Sequence, residues 1–175
     1  MANRAVTAHH TAPMPNARQK TAPHEEQATD PVVLVRTRAD ALYRAALECC
    51  RQHDRAAKLH RGPDEPELEH EHVDALCAMS DSSLNEMSEA YRAAAADVHL
   101  EGDESWWHRA NGLWHASREY SRHRSDCDAM AKKVSSRHSA DQLASMQMEY
   151  ELAASALLAM RHAADAYRKT RPDLS

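Results

Sequence analysis

Thirteen histidines and four cysteines fall within 175 residues, and their spacing decides which chemistry the chain could carry out. The densest stretch is ESWWHRANGLWHASREYSRH, residues 104–123, which also holds all three tryptophans. Within it His115, Glu119 and His123 recur every four residues. On a helix that spacing puts them on one face, where adjacent members could share a transition-metal ion. Glu69-x-x-His72 is a second short motif, of the kind that carboxylate-bridged di-metal bundles place on two of their four helices. It has no twin on another helix, and Glu149 and Glu151 have no histidine three residues on. An acidic first turn, stabilised by the helix dipole, accounts equally for ELEHEHVD. The pair His9-His10 could bind a metal weakly, and an incidental origin explains it as well.

Other chemistries find less support. No serine sits in a strand–turn–helix elbow, and no Gly-rich loop is available to hold phosphate. Cys49 and Cys50 are adjacent, Cys77 and Cys127 lie inside helical stretches, and neither CxxC nor zinc-finger spacing occurs. Reduced thiols in a cytoplasmic protein are the simplest reading. Thiols on apolar seams have raised pKa values and are inert. Met79, Met130, Met146, Met148 and Met160 could join Cys and His in a copper(I) site, but they read as core filler. A haemerythrin-like site needs inward histidines on several helices. Only His53 and His60 fall on an apolar seam, both near the end of the first helix, where the seam would fray toward solvent.

The elements that must position these residues follow from composition and periodicity. Gly is rare at 3, Phe is absent, and charged residues make up 28% of the chain. That profile favours helices with small core side chains. Residues 1–28 carry three prolines and little hydrophobicity and read as a mobile tail; residues 29–175 read as one domain. Asp30 and Pro31 supply an N-cap and N1, Gly62 and Pro63 a stop, and Gly102 and Asp103 a second stop and start. Ser139-x-x-Gln142 is a capping box, and Pro172 follows the last helix. Four helices are expected, over roughly 31–60, 66–100, 104–136 and 140–170.

Heptad-like spacing supports this division. It selects Val35, Ala39, Leu42, Ala46, Cys49, His53, Ala56 and His60 in the first helix. In the second it selects Val73, Cys77, Ser80, Leu84, Met87, Tyr91, Ala94 and Val98. In the third it selects Trp106, Ala110, Leu113, Ser117, Tyr120, Arg124, Cys127, Ala131 and Val134. In the fourth it selects Leu143, Met146, Tyr150, Ala153, Leu157, Met160, Ala164 and Tyr167. Four seams of similar length joined by short connections predict an all-α, antiparallel up-down-up-down four-helix bundle. None of the four seams contains Asp or Glu, which argues against a buried di-metal core. The second helix is expected to run through Ser80, Asp81, Ser82 and Ser83, with a kink or restart there as the alternative.

LASMQMEYELAASALLAMRHAADAY, residues 143–167, is similar to the amphipathic helices of phasins, which coat polyester granules. Ala-rich bundles in general share the pattern, and granule binding is one form of an interaction role. A net charge of −5 with interleaved signs gives no basic face for nucleic acid, and no apolar run is long enough to cross a membrane. The sequence thus supports two functions. The first is a non-enzymatic interaction module, with no cofactor, acting on a protein partner or on a second copy. Trp107 and Trp114, seven residues apart on a flank between core and solvent, would form its surface, and Gly112 would permit close approach. The second is a bundle holding a transition-metal ion, with Glu69, His72, His115, Glu119 and His123 as candidate ligands.

Overall fold

The computed structural model describes residues 30–60, 67–96, 98, 105–133 and 139–174. The expected tail with His9-His10, and the turn residues Gly62, Pro63, Gly102 and Asp103, lie outside the described residues. Four helices follow one another: α1 (Pro31–Leu59), α2 (Glu67–Ala95), α3 (Ser105–Lys133) and α4 (Ala140–Arg168). Each has 29 residues and is therefore about 44 Å long. A 3-10 turn, Pro172–Leu174, follows α4.

Local chemistry sets the ends. The Asp30 side chain accepts a hydrogen bond from the Val32 N–H at 2.9 Å, and Pro31 occupies a position whose N–H would have had no partner. Ser139 and Gln142 form the reciprocal capping box, with bonds of 3.2 and 3.0 Å. The helix α2 is continuous through Ser80–Ser83. Ser80 is buried there and donates to the Cys77 carbonyl at 2.8 Å, so its hydroxyl is satisfied within its own helix.

The helices form the expected bundle. The closest packing is within the hairpins α1/α2 and α3/α4, and α2/α3 and α1/α4 close the ring. The seams meet at its centre. Val35, Leu42, Ala46, Leu84, Tyr91, Ala110, Leu113, Met160, Ala164 and Tyr167 are essentially without solvent exposure. One end differs from the expectation: Leu143 and Tyr150, seam residues of α4, are exposed. The α1–α4 contacts run from Asp40/Tyr167 to Asp54/Arg161, and α1 stops at Leu59. In that antiparallel register the first part of α4 extends past the end of α1, so its seam lacks α1 as a neighbour there, although α3 still runs alongside it at His123 and Glu149.

Candidate metal centre

The polar residues on the seams converge at one height of the bundle. Cys49 and His53 are one turn apart on α1, and Tyr120 and Arg124 one turn apart on α3. Asp81 follows the seam residue Ser80 on α2, about 100° around the helix, which turns it toward both neighbours. The His53 Nε2 lies 2.9 Å from Asp81 Oδ1, and the Tyr120 hydroxyl donates to the same oxygen at 2.9 Å. The Cys49 Sγ donates to it at 3.3 Å. The Tyr120 hydroxyl is also 2.7 Å from His53 Nε2, and the rings of these two residues meet edge to face. Arg124 Nε sits 3.5 Å from the other Asp81 oxygen, Oδ2. The His53 and Asp81 side chains each keep only 16% of their surface exposed.

Proton counting shows what is unusual about this group. The histidine, tyrosine and aspartate atoms form a triangle with three short edges, while the imidazole Nε2 and the hydroxyl hold at most two protons between them. Cys49 adds a further donor to Oδ1, so that oxygen faces three partners with two lone pairs. Sγ of Cys49, Nε2 of His53 and Oδ1 of Asp81 all lie within 4.8 Å of one another. Ligands stand roughly 2.0–2.3 Å from a zinc ion, so atoms this close together could share one.

The electrostatics fit a charged Asp81 beside a neutral thiol and a neutral phenol. Burial alone would raise its pKa. Hydrogen bonds and charge from His53, with help from Cys49 and Tyr120, overcome burial and hold the carboxyl below its ordinary value. Burial, and then the negative charge of Asp81, push the Cys49 thiol far above its ordinary value. Burial first, then Cys49 and Asp81, do the same to Tyr120. Without a metal ion, Cys49 is therefore a neutral thiol; an ion would have to displace its proton.

The group is open on one side. A cleft of about 270 Å³ between α2 and α3 is lined by Asp81 and Tyr120, together with Ala78, Ser82, Asn85, Ser121, Arg124, Ser125 and Asp128.

The residues singled out in the sequence are placed differently from one another. Glu69 pairs with Arg55 at 3.3 Å, and His72 is exposed. His115 is exposed and packs on the Trp114 ring with centroids 4.6 Å apart. Glu119 pairs with Arg122 at 2.6 Å. His123 turns away from both: its Nδ1 is 2.9 Å from Glu149 Oε2 on α4, and Asp126 stands close enough to join them. The His123–Glu149 pair of that second group is satisfied without an ion. Arg122 can only donate to His123 Nε2, at 3.2 Å, so Nδ1 carries the proton and donates it to Glu149. The His115–Glu119–His123 stripe is thus divided among three separate interactions. Trp107 and Trp114 are half-buried and pack against the core, with Trp107 also against Tyr91 and Trp106. Gly112 is exposed, and a Cβ there would meet nothing within 4 Å.

Spacing along the chain could not single out the Cys49–His53–Asp81 group. Cys49 and His53 stood on one seam and their neighbours Tyr120 and Arg124 on another, while Asp81 stood just off a third. The signal in the sequence was that three seams each carry a polar residue in their middle or latter part, next to a polar run in the second helix. Compared with family models, with curated proteins and with solved structures, the chain matches none.

Proposed function

We propose that the protein binds one divalent transition-metal ion, of the class of Zn²⁺, through Cys49 Sγ, His53 Nε2 and Asp81 Oδ1. The observation that carries this reading is the convergence of these three atoms from two helices, in a group with fewer protons than short contacts. One thiolate, one imidazole and one carboxylate form a mixed donor set suited to a borderline ion. Three protein ligands with a fourth position open to a cleft resemble catalytic zinc sites more than closed structural ones. An ion held in this way lowers the pKa of a bound water and polarises oxygen ligands. Binding replaces the proton of Cys49, so affinity rises with pH.

Titration of the metal-free protein with Co²⁺ tests this. The expected result is a saturating thiolate-to-cobalt absorption band at one equivalent, absent in Cys49→Ser and weakened in Asp81→Asn. A cobalt spectrum unchanged by Cys49→Ser would overturn the assignment.

A second reading, self-association with another copy, draws support from the exposed Leu143, Met148, Tyr150, Leu152 and Leu158, all on α4. It rests on that helix rather than on Trp107 and Trp114, which are already packed against the core. Sedimentation over a range of concentrations tests it; a strict monomer would rule it out.

A further inference from the structure

We propose that the cleft between α2 and α3 takes a small monocarboxylate, which fills the open position of the ion at Cys49, His53 and Asp81 and is clamped by Arg124. The proposal rests on the metal-binding reading above and adds the ligand of the same site. At about 270 Å³ the cleft is just below the roughly 300 Å³ lower end of small-molecule pockets, which restricts the ligand to a few heavy atoms. All but one of its lining residues carry a polar group, and Ser82, Asn85, Ser121 and Ser125 are able to donate hydrogen bonds.

Arg124 gives the ligand its charge and shape. Its two ion pairs, with Asp81 and Asp128, are both 3.5 Å long, well beyond the 2.7–2.9 Å of a charge-assisted hydrogen bond. Its Nε is shielded from water yet has no hydrogen-bond partner. The guanidinium is thus held in place by Asp81 and Asp128 without its donors being used. An ion with two positive charges is neutralised by the Cys49 thiolate and the Asp81 carboxylate. Asp81 then binds the ion through Oδ1 while its Oδ2 stays beside the Arg124 Nε, and the two terminal nitrogens of Arg124 form the fork offered to the cleft. A carboxylate matches that fork in two parallel bonds, and its single charge suits a site that also contains Asp128. A doubly charged phosphate would meet Asp128 with repulsion.

The test uses the full-length protein loaded with Co²⁺ and follows the cobalt absorption while acetate is added at constant ionic strength, with phosphate and chloride as comparators. The expected result is a saturable change with acetate that phosphate and chloride do not reproduce. Arg124→Gln should weaken the acetate response by about tenfold or more, with Arg124→Lys intermediate, while the cobalt-to-protein ratio stays the same. A cobalt spectrum indifferent to acetate would overturn the carboxylate site and leave the metal site standing. An equal response to phosphate, or an Arg124→Gln variant that responds like the parent, would also overturn it. Failure to bind cobalt at all would remove both readings.

Discussion

Replacing Asp81 with Asn keeps the shape of the side chain and removes its charge, which isolates what the carboxylate does in the metal-free protein. His53 and Tyr120 each approach Oδ1 at 2.9 Å. A hydrogen bond to a charged acceptor contributes about 1.5–3 kcal/mol, against about 0.5–1.5 kcal/mol for a neutral one. Neutralising the acceptor therefore costs about 1 kcal/mol for each of these two bonds. The Arg124 pair adds little, because that side chain is 37% exposed and its contact is 3.5 Å long. The expected loss is about 2 kcal/mol, or a fall of about 4–8 °C in Tm for a chain of this size. The assay is urea denaturation followed by circular dichroism, with a chelator present so that no ion contributes. Its pH dependence carries a second check. The Asp81 pKa is depressed by folding, so its contribution is present above the unfolded value of about 3.9 and lost as pH falls through the lower folded value. The gap between parent and variant should be full near neutral pH and should close in acid. A gap below about 0.5 kcal/mol near neutral pH, or one undiminished in strong acid, would refute the reasoning.

Three further outcomes follow from other parts of the molecule. Arg171→Ala removes the buried partner of Asp40, which is 2.7 Å away and also accepts a bond from the Tyr167 hydroxyl at 2.6 Å. The remaining tyrosine bond limits the cost to about 3 kcal/mol, read as a lower urea midpoint with an unchanged m-value. Gly112→Ala should stabilise the exposed middle of α3 by about 0.5–1 kcal/mol, since the new methyl group meets open space; a loss of stability would mean that something packs on that face. All four cysteines are free and buried, and burial raises the pKa of each. They should therefore react slowly with a thiol reagent in the native metal-free protein and fully in denaturant, and fast native labelling would contradict this packing.

The fold was legible because it rests on local signals. Asp30, Pro31 and the Ser139/Gln142 box are caps that act within a few residues, and the 3–4 spacing of Leu42, Leu84, Leu113 and Met160 needs only helix geometry. The site was less legible because it depends on the relative heights of three helices, which spacing within one helix does not fix. His53 had the look of a seam fraying at a helix end, yet it stands opposite Asp81 and Tyr120. The Ser80–Ser83 run had the look of a weak point, yet it supplies the carboxylate. No seam carries an acid, yet Asp81 reaches the centre from one position beside its seam. His115, Glu119 and His123 show the converse: their spacing suits a shared ion, but Arg122 and Glu149 take two of them separately. The exposure of Leu143 and Tyr150 has the same origin, because a seam becomes core only where another helix stands opposite.

A metal site at Cys49, His53 and Asp81 must show itself in the metal-to-protein ratio. The protein is prepared without a histidine tag, equilibrated with Zn²⁺, freed of excess by gel filtration, and measured by elemental analysis. One equivalent of zinc per chain is expected in the parent protein, and a small fraction of that in Cys49→Ser. A parent protein that emerges with no stoichiometric metal, or a Cys49→Ser variant that retains a full equivalent, would contradict it.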